Sequence, residues 1–143
     1  GMRWAIENFR DVEHLPNEVT AIAKSGIWGE FVTGGGKQML ALSTTLNGNP
    51  EIAFATAVHE MTHYVDRMSG NIAGDVYAQA LKNLGWRKNS RKAGNMITAM
   101  IPEVSERTDS EILAYSVDAY VSGKANDLAN EIINVLKQRG ILN

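Results

Sequence analysis

The sequence predicts an α+β fold that is mostly helical, with a small sheet or hairpin packed beside one long helix. Helix start signals and apolar residues at three- and four-residue steps recur along the later part of the chain. Two short apolar segments, residues 28–32 and 37–45, flank a glycine-rich turn and predict the hairpin. The 143 residues contain no repeat and no long linker. We therefore expect a single domain over residues 2–143, with Gly1 interpreted as the remnant of a purification tag.

The composition excludes several classes of function. The net charge of -2, with both signs mixed along the chain, leaves no basic stripe, so no nucleic acid partner is expected. No apolar run reaches the roughly 18 to 20 residues of a membrane span. Residues 2–8 lack the apolar core of a signal peptide, so we expect a cytoplasmic protein with no membrane contact. Because the chain has no cysteine, a metal site must use histidine and carboxylate ligands.

The elements before the long helix are short. Residues 17–25 predict a helix that ends at Gly26. The hairpin turn, residues 33–36, carries three consecutive glycines, but it lacks the Lys-Ser/Thr ending and the following helix of a phosphate-binding loop. We therefore interpret this segment as a simple turn.

The long helix begins at Asn49 and Pro50, a capping residue followed by the proline that the first helical position favours, and it ends near Gly70. Apolar residues at helical spacing predict its core-facing stripe: Phe54, Val58, Met61, Val65 and Met68. Further helices are predicted over residues 75–84, 93–100, 108–122 and 126–138.

The segment His59-Glu60-Met61-Thr62-His63 places three functional groups on one side of the long helix. The two imidazoles lie about 40° apart around the helix axis, and Glu60 lies within the same broad face. Two imidazoles one turn apart can bind one zinc ion, while the glutamate takes a proton from the water bound to the metal. A chance match on an ordinary helix is the alternative, but two of the three histidines fall in the pattern. The third, His14, is interpreted as a surface or local structural residue.

A catalytic zinc site needs a third protein ligand, and the residues alone leave the choice open. Glu111 shares a helical face with Tyr115 and Asp118, apart from the apolar stripe of that helix. Its alternative role is a capping box, in which the carboxylate reaches back to the backbone of Thr108. Asp66 follows the second histidine by three residues. We expect it in a supporting or structural role, because one helix seldom presents three ligands to one ion.

These residues resemble the zincin metallopeptidases of the gluzincin type, in which His-Glu-x-x-His is followed by a helical glutamate. Residues 38–66, with a strand before the motif, are similar to the ImmA/IrrE-type peptidases, and Glu111-Ile112-Leu113-Ala114 resembles their Glu-x-x-Ala segment. The family of the anthrax lethal factor catalytic domain has both segments as well, with an aspartate at the position of Asp66. The resemblance covers about 45 to 60 residues and is specific only at the five-residue motif.

The resemblance implies a zincin-like fold and a zinc ion held by His59, His63 and Glu111, with Glu60 as the general base. The 47 residues between the second histidine and the ligand glutamate make a longer spacer than in ImmA-like enzymes. Tyr115 is a second departure, since thermolysin-like members carry an aspartate four residues after the ligand glutamate to orient a histidine. A phenol can make that hydrogen bond, but it brings no negative charge.

The function expected from this resemblance is zinc-dependent hydrolysis of peptide bonds in a peptide or protein substrate. Glu60 would take a proton from the zinc-bound water and pass it to the leaving amine. Asp66 and Tyr115 are candidate supporting or oxyanion-stabilising residues, and Tyr120 and Arg107 are further oxyanion candidates. The strand predicted within residues 37–45 could offer a free edge to an extended substrate.

Other functions stay open at this point. The chain could be a zinc-binding regulatory or toxin-like module that is latent or inactive without a partner or a missing domain, and residues 126–143 could cover the cleft. A weaker alternative is a scaffold whose histidines hold no metal. The oligomeric state, the substrate and the physiological metal are not determined by the sequence.

Overall fold

The computed structural model describes residues 2–9, 19–22, 29–34, 37–43 and 50–143. In chain order these residues form α1 (Met2–Asn8), β1 (Val19–Ile22), β2 (Gly29–Gly34), β3 (Lys37–Ser43), α2 (Pro50–Met68), α3 (Ala73–Leu84), α4 (Arg91–Met100), a 3₁₀ turn (Val104–Glu106), α5 (Asp109–Val121) and α6 (Asp127–Gln138).

Helix α2 forms where the sequence predicts the long helix, and it begins at Pro50, which has no N–H to leave unpaired in the first turn. Three residues of the predicted stripe, Val58, Met61 and Val65, are at most 2% exposed. Phe54 packs against the core while only partly buried. Met68 is 54% exposed and was wrongly assigned to the core, because α2 ends at this residue.

The four later helices form within two residues of their predicted bounds, and side-chain caps explain three of the starts. Ser90 accepts the Ala93 N–H at 3.3 Å before α4. Asn126 accepts the Ala129 N–H at 3.0 Å before α6. The hydroxyl of Thr108 caps α5 in the same way. These caps satisfy N–H groups that a helix start otherwise leaves without an acceptor.

The core lies between helices. Helix α2 packs against α5, and α3 and α5 both pack against α6. The largest side chains that are fully buried come from these helices and from one residue after α4: Val58, Met61, Val76, Ile101, Val117, Leu128, Ile132, Ile133, Val135 and Leu136. Because each helix turns an apolar stripe inward, helix-on-helix packing buries those stripes.

The three strands form a sheet in the order β1-β3-β2, parallel between β1 and β3 and antiparallel between β2 and β3. The helix predicted over residues 17–25 is wrong at residues 19–22, where Val19, Thr20 and Ile22 are β-branched and favour a strand. The rest of that prediction lies outside the described residues. Residues 40–42 pair on both sides, so the suggestion of a free edge for substrate is wrong there.

The predicted α+β class is wrong for the part of the chain that holds the core and the candidate site. Residues 50–143 are 73% helical, in five helices, and contain no strand. The buried core of this part comes from its helices, and although α2 also lies against β2 and β3, the zincin-like α+β expectation is corrected to a helical fold. Among the described residues, no helix is both long and apolar enough to cross a membrane.

Candidate metal centre

Helix α2 brings His59 and His63 together, because residues four apart lie one turn apart on the same face. The two imidazole rings meet edge to face, with 4.9 Å between their centroids. His59 is buried, and His63 and Glu60 are partly buried. The buried stripe on the other side of α2 fixes the rotation of the helix, so the histidine positions follow from core packing.

Helix α5 supplies the carboxylate. Glu111 Oε2 lies 3.5 Å from His59 Nε2, and Glu111 Oε1 contacts His63 Nε2. One ligand atom from each of the three side chains lies within 4.8 Å of the others. Thr108 accepts the Glu111 N–H at 3.3 Å, so the cap that the sequence suggested is present. The Glu111 carboxylate faces the imidazoles, so the other half of the expected capping box, in which this carboxylate would reach back to the Thr108 backbone, is not observed.

The second nitrogen of each imidazole faces a residue of α5. His59 Nδ1 lies 3.6 Å from Asp118 Oδ2, and His63 Nδ1 lies 3.0 Å from the Ser110 hydroxyl. A proton on each Nδ1 leaves both Nε2 lone pairs directed towards Glu111, which is the tautomer needed for metal binding. Sequence reasoning placed Asp118 on the face of Glu111 but gave it no role, and it missed Ser110. The seven-residue spacing from Glu111 to Asp118, two helical turns, is the signal that could have identified the aspartate.

The charges of the cluster reinforce one another in the metal-free protein. Burial would lower the pKa of His59, but the carboxylates of Asp118, Glu111 and Glu60 raise it to about 9. Burial would raise the pKa of Glu111, whereas its contacts with His59 and His63 lower it to about 2. At neutral pH the metal-free cluster therefore holds a proton on His59 beside an ionised Glu111. A divalent cation would replace this proton.

Tyr115 lies four residues after Glu111, at the position where thermolysin-like zincins carry an orienting aspartate. Its ring packs edge to face on His59, with 4.5 Å between the centroids, and its hydroxyl donates to Glu106 Oε2 at 3.0 Å. Burial and the carboxylate of Glu106 raise the pKa of Tyr115, so its hydroxyl stays protonated and remains a donor. The orienting carboxylate comes from Asp118 instead.

A cleft of about 1070 Å³ opens onto the cluster. Its lining includes His59, Glu60, Glu111, Tyr115 and Asp118, so the proposed base and two of the three proposed ligands face the same space, whereas His63 lines a smaller neighbouring pocket. Seven further lining residues are apolar and come from α2, α4 and α5: Ile52, Phe54, Ala55, Ala99, Met100, Ala119 and Val121.

Asp66 lies outside the ligand group. It is 5% exposed, and its Oδ1 accepts the Ala73 N–H at 2.9 Å, which holds the start of α3 against the end of α2. Gly74 follows, and a Cβ atom there would lie 3.3 Å from Asp109 Oδ2 at the start of α5. The supporting role expected for Asp66 is thus structural, one helical turn beyond His63. His14 lies outside the described residues.

Comparisons of the chain with protein-family models, with curated proteins and with solved structures give no match. The assignment of a function therefore depends on the side chains of the cluster and of the cleft.

Proposed function

We propose that the chain is a zinc-dependent peptidase in which His59, His63 and Glu111 hold the metal and Glu60 is the general base. The observation that carries the proposal is the convergence of ligand atoms from α2 and α5 within 4.8 Å of one another. The cleft beside them gives Glu60 access to the same space. A cluster that existed only to stabilise the fold would not need a carboxylate base beside it in an open cleft.

The donor set fits zinc. Two imidazole nitrogens and one carboxylate are the ligands of a three-residue catalytic zinc site, which leaves a further coordination position for water or substrate. Ser110 lies within hydrogen-bond distance of His63 Nδ1, and Asp118 faces His59 Nδ1 at 3.6 Å, so each imidazole has a partner that could orient it for metal binding. The helices α2 and α5 pack directly against each other, so the ligands are held by the core rather than by loops.

When bound, zinc acidifies a water molecule and polarises a carbonyl group. Glu60 would take the proton of that water and deliver it to the leaving amine. Of the three oxyanion candidates, Tyr115 lines the cleft, and it would have to leave the carboxylate of Glu106 to donate to a substrate carbonyl. Arg107 instead donates to the backbone oxygens of Ile101 and Pro102, at 2.8 and 2.9 Å, and does not line the cleft.

The direct test replaces Glu60 by Gln. We expect the purified wild-type protein to contain about one zinc per chain and to hydrolyse a disordered protein substrate such as casein. Glu60→Gln should retain the zinc and lose at least about 100-fold in activity, because a positioned proton acceptor contributes about that much or more. The measurements are metal content by mass spectrometry and the rate of peptide-bond cleavage.

Glu103→Gln is the matched control, since Glu103 is an exposed carboxylate outside the cleft lining. It should leave both zinc content and rate unchanged. Equal rates for Glu60→Gln and the wild type would refute the role of Glu60. A wild-type protein that binds zinc but cleaves nothing would refute the peptidase function and favour a regulatory or toxin-like zinc module.

A further inference from the structure

Four exposed cations lie together at the start of α4, and we call this group the basic surface: Arg87, Lys88, Arg91 and Lys92. Arg87 and Lys88 belong to the turn before the helix, in which the Ser90 N–H donates to the Arg87 oxygen at 3.0 Å. Arg91 and Lys92 begin the helix itself. No aspartate or glutamate occurs between Lys82 and Pro102, so the charge is of one sign along this whole segment.

The fold does not explain these cations. None of the four side chains makes an ion pair or a hydrogen bond with a residue that the structure describes. Two of them, Arg91 and Lys92, lie in the first turn of α4, where the helix dipole disfavours positive charge. The four groups therefore repel one another and the helix start, and no contact with a described residue offsets this cost.

The basic surface continues towards the cleft of the metal centre. Lys92 and Ala99 are seven residues apart on α4, so they share a helical face, about 10 Å apart along the axis. Ala99 lines the cleft, and so does Lys124. Asn126, two residues after Lys124, donates to the Met96 oxygen at 3.1 Å, which places this end of the cleft beside the middle of α4.

The two ends of this continuous face differ in sign. The metal end of the cleft carries four carboxylates and the α4 end carries Lys124 and, beyond it, the basic surface. The four carboxylates are those of Glu60, Glu106, Glu111 and Asp118, while Glu51 lines the cleft from the start of α2, about 12 Å along the helix from His59.

We propose that the basic surface docks an acidic segment of the polypeptide whose scissile bond lies in the cleft. This inference rests on the proposed peptidase function and adds to it a substrate class: proteins with acidic residues on one side of the cleaved bond. An extended chain covers about 10 Å in roughly three residues. Acidic residues about three or more positions beyond the end of the cleft would therefore reach Lys92 first and the other three cations next.

A polypeptide fits better than a nucleic acid or a membrane. The carboxylates of the adjoining cleft would repel a phosphate backbone along its length, whereas a polypeptide can change its charge from one residue to the next. The large apolar side chains that are exposed in the described part of the chain, Met68, Val104 and Tyr120, all lie outside the basic surface. A membrane-binding surface would need such side chains beside its cations.

The test measures binding of a fluorescein-labelled octaglutamate peptide by fluorescence anisotropy, in the Glu60→Gln background so that no hydrolysis interferes. We expect binding at about 20 mM salt that weakens towards about 150 mM, as exposed charges are screened. Replacing Arg91 and Lys92 together by Glu should weaken binding by about tenfold or more. The same pair of substitutions favours the helix start electrostatically, so we expect no loss of thermal stability.

The control replaces Lys137 and Arg139 by Glu, an equal change of net charge at the far end of α6. Compared at about 150 mM salt, where the screening length is about 8 Å, it should weaken binding much less than the Arg91→Glu, Lys92→Glu pair does, because neither residue belongs to the basic surface. Equal weakening by both double variants would overturn the proposal, because it would mean that net charge alone governs binding. Tighter binding of an oligothymidylate of equal charge, or of anionic vesicles, would overturn it in favour of those partners.

The peptidase function and the docking surface can be refuted independently of each other. Loss of the acidic-peptide interaction in the Arg91→Glu, Lys92→Glu variant is read from anisotropy and needs no enzymatic activity. Casein hydrolysis by the wild type with no acidic-peptide binding would overturn the docking surface alone. Acidic-peptide binding through the basic surface in a protein that cleaves nothing would overturn the peptidase function alone.

Discussion

Glu111 connects the two helices of the candidate metal centre, and its position shows what a sequence can and cannot predict at the scale of one residue. The spacing of His59 and His63 fixes their relation by helix geometry alone. Glu111 lies 48 residues beyond His63, so its approach depends on how α2 packs against α5. The local pattern at Thr108 fitted both a cap and a ligand, and only the packing of the two helices directs the carboxylate to the imidazoles.

Asp118 and Ser110 show the same limit. Neither belongs to a motif, and each is recognised only through the imidazole nitrogen that it faces. A sequence pattern assigns roles to positions at fixed offsets, and at the expected offset this chain has Tyr115. The carboxylate that faces His59 belongs to Asp118, three residues further along α5.

The raised pKa of His59 predicts that zinc binding is coupled to proton release. At pH 7 the metal-free imidazole, with a pKa of about 9, carries a proton that it must lose in order to bind a metal. We expect about one proton released per zinc bound at pH 7, and an affinity that falls about tenfold for each pH unit below 9. Calorimetry in buffers of different ionisation enthalpy measures this release.

Asp118→Asn provides the comparison, because it removes one of the carboxylates that raise the pKa of His59. The variant should release fewer protons than the wild type at pH 8, where the wild-type imidazole is still mostly protonated. Heats of binding that do not depend on the buffer in the wild type would contradict this prediction and the charge state assigned to the cluster.

At the scale of elements, local signals predicted the helices well wherever a cap or a stripe lies within the segment itself. Thr108 and Asn126 are followed by helices because their side chains accept N–H groups three residues later. The helix expected over residues 17–25 failed because its β-branched residues pair with β3, a contact distant in the sequence. Helix α1 was not predicted, since its seven residues are too few for a helical period to be evident.

Helix α6 is part of the core rather than a removable cover. Its apolar stripe is buried against α3 and α5, and none of its residues lines the cleft. Ile132→Ala should therefore lower the free energy of unfolding by about 2–5 kcal/mol, as measured by urea denaturation, because Ile132 is 0% exposed. Asn134→Ala, at an exposed position of the same helix, should change it by less than about 0.5 kcal/mol.

The burial of α6 in the core also disfavours the hypothesis that residues 126–143 are a cover that keeps the protein latent. A chain that ends at Gly123 lacks every buried residue of α6, and we expect it to unfold, with loss of its cooperative thermal transition. A truncated chain that folds and is more active than the whole one would contradict this and restore latency.

At the scale of the whole molecule, the sequence predicted the wrong class because it could not tell which elements share the core. The apolar stripe of α2 was compatible with a sheet or with other helices as its partner. In residues 50–143 the partner is α5 and, through it, α6. The stripe of α2 was mostly predicted correctly. Its packing partners were not, because the period of a stripe indicates which side of a helix is buried but not which element buries it.

Metal binding should stabilise the whole fold, because the ligands come from two packed helices. Free zinc at about 100 times its dissociation constant adds about 2.7 kcal/mol to the free energy of unfolding. For a chain of this size we expect a rise in Tm of roughly 10 °C, measured by differential scanning calorimetry before and after chelation. His63→Ala should lose most of the rise, and magnesium, which prefers oxygen ligands, should not produce it. An equal Tm with and without zinc would contradict the ligand assignment.

Gly74 is a residue without a functional group that nevertheless limits the metal centre. Its missing side chain lets the start of α3 approach Asp109, the residue that begins α5 two positions before Glu111. Asp66 ties the same turn of α3 to the helix of the histidines. Helix α3 therefore braces the end of α2 and the start of α5 from outside their shared interface. A methyl group at position 74 would displace the Asp109 carboxylate by a few tenths of an ångström, two residues before Glu111.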